Sequence, residues 1–315
     1  MKTLVVVINW NGDQDLVDCL NSLQATKDGT PQTYDVLVLD NASTTGAIGR
    51  IEREYPWVEY LKLSQNRYWA GGNNAAIKWA LERDYELIVL SNSDIVVGKA
   101  WYPALQTMCR SDAVGAIGFK IFGEARRVPI ENFHDCNASF DLSDLKWHDD
   151  IHMSGCFLAI RACCFAALGG FDEVYKMYAE EHDFLSRVRL AGWRTVRCNA
   201  PIYHVSELAS RKVPLLTSYF AIRNNMRVLI KLGPRRLWPP ARYAVRVLRY
   251  MLDPSRAVDL VDSCRRREKP TDSLPTNLGI WLRACLWNIV HLPATLLAGH
   301  KDIKAARSVC ATRSA

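Results

Sequence analysis

A chain of 315 residues, 49% hydrophobic and 23% charged, is long enough for one large α/β domain with an appendage or for two modest domains, and it holds no low-complexity run or solenoid-spaced repeat. The formal net charge of +7 is unevenly placed: from Arg211 onward there are 20 Lys and Arg against 6 Asp and Glu, so the earlier part is net acidic. Ten cysteines without a Cys-x-x-Cys pair disfavour a zinc site and read as small buried hydrophobes in a reducing, cytoplasmic setting.

The apolar run Leu4 to Ile8 is too short for a secretory signal, and the polar Asn9-Trp10-Asn11-Gly12-Asp13 follows it directly, so it reads as a first buried strand. Val36 to Leu39, Val58 to Leu63 and Leu87 to Leu90 repeat that apolar, β-branched character. Between the strands, Leu16, Cys19, Leu20 and Leu23, then Ile48, Ile51 and Tyr55, then Ala76, Ile77, Ala80 and Leu81 fall at helical spacing. Strands alternating with helices predict a mostly parallel sheet, whose ligands bind at the carboxyl ends of the strands. Those ends carry Asn9-Trp10-Asn11-Gly12, Asp40-Asn41-Ala42-Ser43, Gln65-Asn66 and Asn92-Ser93-Asp94. Neither a Gly-x-Gly-x-x-Gly after the first strand nor a Walker-type loop occurs, which disfavours dinucleotide and P-loop sites. Gly71-Gly72-Asn73-Asn74 reads either as a helix entry or as a phosphate-cradling turn.

Further on come Ser154-Gly155-Cys156-Phe157, Gly169-Gly170-Phe171-Asp172-Glu173, Tyr178-Ala179-Glu180-Glu181-His182-Asp183, Ala191-Gly192-Trp193, His204 and Arg223-Asn224. Taken in order with the four strand-end clusters, these motifs resemble glycosyltransferase family 2, from residue 4 to about residue 230, and within it the rhamnosyltransferase-like subgroup. The resemblance implies an α/β GT-A nucleotide-sugar-binding fold over 1–210, followed by a helical, basic region over 211–315. It implies an inverting transfer of a sugar, first choice rhamnose from deoxythymidine diphosphate rhamnose, to a hydroxyl of a glycan or lipid-linked acceptor.

The chemistry needs a divalent metal, Mg²⁺ or Mn²⁺, to neutralise the leaving diphosphate, and a carboxylate to take the acceptor proton. Asp94 matches the last residue of the family's Asp-x-Asp motif and is assigned to the metal. Asn92 stands where that motif is acidic, so the site carries less protein charge. By the same analogy His204 is the second ligand or a diphosphate contact, although a lone histidine is more often structural. An imidazole ligand would favour Mn²⁺ slightly.

Asp40 resembles the family's nucleotide-binding aspartate, though Asp-Asn-Ala-Ser is also good turn chemistry. Asn9, Asn11 and Asn66 would line the same pocket, and Trp10 would either stack on the base or pack. Gly155, placed after an expected strand, lies in the region that meets the donor sugar in the family. Glu181 aligns with the family's catalytic base, as the second acid of a Glu-Glu pair where the family has Glu-Asp. Two acids in a first helical turn also suit the helix dipole alone. Asp183 and Arg187 are spaced for an i,i+4 pair that holds the helix.

Residues 120 to 150 fit no regular pattern and read as an insertion on the acceptor side. The C-terminal third turns helical, with Arg242, Arg246 and Arg249 beside aromatic and aliphatic residues, then Arg265-Arg266-Arg267, then an apolar stretch from Ile280 to Leu297. Arg283, Asn288, His291 and Pro293 interrupt that stretch, so it reads as a helix lying on an anionic membrane surface or as an ordinary helical subdomain, rather than a span. A nucleic-acid partner would explain the basic tail but not the acidic and polar residues collected at the strand ends. The departures at Asn92 and Glu181 leave one alternative, a catalytically degenerate scaffold in a membrane glycan-assembly complex.

Overall fold

The structure, a computed structural model, describes residues 1–28, 34–123, 130–205, 214–233, 238–252 and 273–314. In chain order these begin β1 (Thr3–Asn9), α1 (Asp13–Asp28), β2 (Asp35–Asp40), α2 (Ile48–Glu54), β3 (Glu59–Lys62), α3 (Tyr68–Leu81) and β4 (Leu87–Asn92). Then come β5 (Ile95–Val97), α4 (Trp101–Met108), β6 (Val114–Gly123), α5 (Ile130–Ser139), β7 (Trp147–Asp149), β8 (Phe157–Arg161), α6 (Ala162–Leu168), α7 (Glu180–Leu190) and β9 (Arg194–His204). Four helices close the chain: α8 (Pro214–Leu232), α9 (Trp238–Leu252), α10 (Leu274–Val290) and α11 (Leu292–Ser314). The Arg265-Arg266-Arg267 run lies outside the described residues.

One mixed sheet runs β3-β2-β1-β4-β8-β6-β9-β5, with β7 pairing the far side of β9. The β3-β2-β1-β4 half is parallel throughout, as strand–helix alternation predicts. Along β1, Val5 and Val7 enter one core with α1 and α4, while Leu4, Val6 and Ile8 enter the other with α3 and α7. A strand covered on both faces reads as a continuous apolar run, and each fully buried aliphatic side chain contributes about 1.5–3 kcal/mol.

Gly71 and Gly72 lie in the first turns of α3, which decides for the helix entry. A β-carbon on Gly72 would lie 2.8 Å from Ile8 Cδ1 and 3.3 Å from Leu39 Cδ2, so glycine lets α3 sit directly on the sheet. Residues 120 to 150 are more regular than their sequence suggests. β6 continues to Gly123, α5 buries Phe133 against Tyr203, and β7 pairs antiparallel with β9. β7 itself is exposed along its length and only three residues long, too short to show a period.

The C-terminal helices gather around a small core of Ile222, Met226, Ala244, Val247 and Ala284. Among the described residues no single helix is long and apolar enough to cross a membrane, although α10 and α11 pass that test together, bent by 64° at their junction.

Candidate active site

Strand register gathers the predicted residues at one edge. In the parallel half, Asn9 lies opposite Asp40 and Ile8 opposite Asn92, so three polar carboxyl ends are neighbours. The far half reaches the same edge by other means. β8 runs antiparallel to β4, so its beginning lies there, with Ser91 opposite Phe157 and Asn92 N donating to Cys156 O at 2.9 Å. Gly155 therefore precedes a strand instead of following one, which corrects the sequence expectation without moving it from the edge. β9 ends at His204, and β5 pairs Ile95 with that residue, which brings Asp94 beside the imidazole.

Ser43 ties the first two strand ends together. Its Oγ accepts from Asn11 N at 3.0 Å and from Asn9 Nδ2 at 3.4 Å, while Ser43 N donates to Asp40 Oδ1 at 3.2 Å. Asn11 Oδ1 accepts from Thr44 N at 2.7 Å, and Asn9 Oδ1 from Gly12 N at 3.2 Å. Asn66 Oδ1 is taken by Tyr68 N at 2.7 Å and by Asn41 Nδ2 at 3.1 Å, so this residue braces the entry to α3. Asp40 is thus both the turn residue and a buried carboxylate at the edge, 5% exposed. Trp10 is half-buried at the same edge.

Trp69 was not singled out from the sequence, yet it links the two sides. Its Nε1 donates to Asn92 Oδ1 at 3.1 Å. A β-carbon on Gly155 would lie 3.0 Å from the Trp69 ring and 3.7 Å from Glu181 Cβ, so glycine here leaves room for the indole next to the backbone. The signal that could have found Trp69 is its position just before the Gly-Gly pair, at the mouth of a helix that rises from the strand edge.

Glu181 sits in the first turn of α7, where helix-terminal N–H groups favour negative charge. It is 9% exposed, and its Oε2 has no hydrogen-bond donor among the described residues. Asp183 instead pairs with Arg187, Oδ2 to Nε at 3.1 Å, and Arg187 also donates to Leu168 O and Gly170 O at 2.9 Å each. The expected i,i+4 helix pair is present and buried.

His204 Nε2 and Asp94 Oδ1 lie 3.1 Å apart, each with a side chain 12% exposed. Among the described residues no group of three or more His, Cys, Asp and Glu is placed to hold a metal. The pair assigned from the sequence could offer a cation one carboxylate and one imidazole. Such a pair suits a divalent cation that completes its coordination with diphosphate and water oxygens. Asn92 Oδ1 accepts from Trp69 Nε1 and keeps a second lone pair.

Backbone strain concentrates here. Asn11, Ala42 and Tyr68 at the strand edge, and Lys176, Tyr178 and Ala179 leading into α7, are six of the seven non-glycine residues with positive φ among those described. Such conformations cost about 1–3 kcal/mol each and cluster where a site must be held in shape.

The family model for glycosyl transferase family 2 matches residues 4–165. A relative, the N-acetylglucosaminyl-diphospho-decaprenol L-rhamnosyltransferase of Mycobacterium tuberculosis, is 25% identical over 228 residues, covering 61% of this chain and 72% of that one. The low-salt glycan biosynthesis hexosyltransferase Agl10 of Haloferax volcanii is 22% identical over 59% of this chain and 61% of its own. Among solved structures, residues 1–349 of TarS from S. aureus in complex with UDP superpose with a TM-score of 0.56 at 18% identity, over 100% of this chain and 91% of that one. The mannosyltransferase PcManGT from Pyrobaculum calidifontis, in complex with GDP-Man and Mn²⁺, gives 0.56 at 16% identity over 96% and 86%. A mixed α/β sheet with polar strand ends and this likeness define the GT-A fold. The chain belongs to glycosyl transferase family 2.

Proposed function

We propose that this glycosyltransferase moves a hexose, first choice rhamnose from deoxythymidine diphosphate rhamnose, onto a hydroxyl of a glycan or lipid-linked acceptor, with inversion. The observation that carries the reading is Glu181 Oε2, a buried acceptor atom with no donor among the described residues, on a side chain whose Cβ lies close to Gly155. Oε2 takes the acceptor's hydroxyl proton as that oxygen attacks the anomeric carbon. The bond from that carbon to the diphosphate oxygen breaks, and the nucleoside diphosphate leaves with the electron pair. Asp94 and His204 would hold a divalent cation, Mn²⁺ or Mg²⁺, whose charge would offset the one developing on the diphosphate. Asp40, with Asn9 and Asn11 around it, binds the nucleoside; Gly155 leaves space for the sugar. The rhamnosyl choice rests on the mycobacterial relative.

The test is release of free nucleoside diphosphate from a panel of nucleotide sugars, with Mn²⁺, Mg²⁺ or chelator. One donor should turn over, and the activity should disappear with chelator and in Asp94→Ala. Glu181→Gln, assayed with acceptor, should lose about 10²- to 10⁴-fold in kcat and keep donor binding by calorimetry. Donor binding without turnover by the wild-type enzyme in the presence of acceptor would favour the scaffold instead. No donor binding at all would end both readings.

We assign 1–210 to the chemistry and 211–315 to acceptor and membrane, at the cytoplasmic face. Leu282, Leu286, Ile289 and Val290 on α10 and Leu297 on α11 are 51%, 51%, 66%, 73% and 71% exposed. Across α8 to α11 the only acidic residue is Asp302, while Arg242, Arg249 and Arg283 are exposed. Apolar residues flanked by cations suit an anionic phospholipid surface. Wild-type protein should sediment with phosphatidylglycerol-containing vesicles and not with pure phosphatidylcholine, and the double substitution Ile289→Asp, Val290→Asp should abolish it. Equal sedimentation of the double variant would remove this face from the assignment.

A further inference from the structure

The turn that delivers Glu181 is conformationally costly. Lys176, Tyr178 and Ala179 have φ of 65°, 71° and 68°, and none is glycine. Ala179, at the helix N-cap, makes no side-chain cap hydrogen bond. A chain segment of this kind has no ladder to satisfy its carbonyls, so their partners must come from elsewhere.

Those partners are specific. Val174 O accepts from Arg223 Nη2 at 2.6 Å, and Tyr175 O from Arg223 Nη2 at 3.0 Å and Asn224 Nδ2 at 2.8 Å. Lys176 O accepts from Ala70 N at 2.9 Å, at the start of α3. Met177 O and Tyr178 O both accept from Asn224 Nδ2, at 2.8 and 2.9 Å, and Ala179 O accepts from Asp183 N at 3.0 Å inside α7. Every carbonyl from Val174 to Ala179 has a partner; Tyr175 O also accepts from Met177 N at 2.8 Å, and two of the six, Met177 O and Tyr178 O, rely on the Asn224 amide. Asn224 is fully buried in the middle of α8, where an amide without partners would be strongly destabilising.

Arg223 is held in turn. Its guanidinium lies 4.5 Å from the Trp287 ring and 4.7 Å from that of Phe220, its Nε donates to Asn224 Oδ1 at 2.7 Å, and its carbonyl accepts from Asn288 Nδ2 at 2.9 Å. The clasp is therefore anchored in α10 as well as α8.

We propose that Asn224, supported by Arg223, is a positioning residue for catalysis: its amide holds the strained 174–179 turn in the one shape that aims Glu181 at the acceptor. The proposal rests on Glu181 being the base. Neither Asn224 nor Arg223 touches substrate in it. The strand edge around Asp40, Asn9 and Asn11 is built from other residues, so donor binding should be independent of the clasp.

The experiment measures kcat, acceptor KM, donor affinity by calorimetry and amide hydrogen exchange in Asn224→Ala, Arg223→Lys, Glu181→Gln and the double variant Asn224→Ala, Ala179→Gly. Misplacing a reacting group by about 1 Å costs about 10²-fold, so Asn224→Ala should lower kcat by about 10- to 100-fold. Donor affinity should stay within about two-fold, and exchange should quicken in residues 174–183 while β1 to β4 remain protected. Glycine adopts positive φ at little cost, so Ala179→Gly should restore part of kcat in the double variant. If Asn224→Ala does not fold, Arg223→Lys decides, with a smaller kcat loss at unchanged donor affinity. An unchanged kcat in the folded clasp variant, or an equal loss of donor binding, overturns the proposal while leaving the base assignment standing. Full transfer by Glu181→Gln would instead show that the base assignment itself is wrong.

Discussion

Asn9, Asp40 and Asn92 reach the site on strand ends that neighbour one another in the sheet, each placed by its own strand and the tight turn after it. Glu181 arrives by a different route, on a turn whose hydrogen-bond donors lie up to 49 residues further along the chain. Behind it stands a buried ion cluster. Lys231 Nζ reaches Asp172 Oδ2, Asp183 Oδ1 and Asp302 Oδ2 at 3.0, 2.9 and 2.8 Å. Arg227 pairs with Asp172 at 2.8 Å and Arg187 with Asp183 at 3.1 Å, so three cations face three carboxylates. The sheet edge is assembled locally, and the base helix is assembled from three distant segments at once. Substitutions at the two places should therefore fail differently, one through ligand affinity and the other through stability.

The largest effect is expected at Lys231, which is 3% exposed overall and whose side chain is 1% exposed. Lys231→Met leaves three carboxylates against two guanidinium groups in a buried place. Breaking one partner of a buried ionic network costs about 3–5 kcal/mol. Chemical denaturation should show a loss of that size, with donor affinity in the surviving folded fraction unchanged. A loss below about 1 kcal/mol would mean that the cluster is solvated and that the contrast with the strand edge is false.

A smaller effect follows from pH. Burial pushes the Asp172 carboxyl up, but the Lys231 and Arg227 charges outweigh it and hold Asp172 at about 2, below its ordinary 3.8. Burial likewise works against the Lys231 ammonium, and Asp183 and Asp172 overturn it and raise Lys231 above its ordinary 10.5. A depressed carboxylate stabilises above its unfolded pKa and loses that contribution as pH falls through the folded one. Asp172 therefore contributes about 2 kcal/mol above pH 4 that disappears between about pH 4 and 2. The Lys231 contribution is complete below 10.5 and is lost only in more alkaline solution. Unfolding titrations should show a plateau at neutral pH and a steep acid limb, and Lys231→Met should flatten that limb.

The parallel half of the sheet and its polar ends were legible because continuous apolar runs, helical spacing and turn residues are local signals. Asp40, Asn92 and Asp94 could be placed at one edge from these alone. Trp69 and Ser43 were missed as links because a side chain's reach across strands depends on register, which the sequence does not display. The β7 strand and the α5 helix were missed for a related reason: β7 has only three exposed residues. Asp172 stands out in the sequence only as part of the Gly169 to Glu173 motif, yet it is committed to Arg227 and Lys231. A charge pair closed across 55 or 59 residues leaves no spacing to detect.

The smallest of the three effects tests the local half of the comparison, at Asp40. Its Oδ1 accepts from Ser43 N, and an asparagine keeps a carbonyl oxygen able to accept that bond, so Asp40→Asn should leave the turn intact. Stability should move by less than about 0.5 kcal/mol, as for a substitution that breaks no packing. What changes is the charge offered to a nucleoside N–H or hydroxyl. Hydrogen bonds to charged groups contribute about 1.5–3 kcal/mol against about 1 for neutral ones, so donor affinity should fall by about three- to thirty-fold. The loss should appear in donor KM and in calorimetry, with kcat at saturating donor nearly unchanged, because uniform binding is lost and the base is untouched. If Asp40→Asn instead destabilised the fold without weakening the donor, Asp40 would be the turn residue alone, and nucleoside recognition would have to be sought at Asn9 and Asn11.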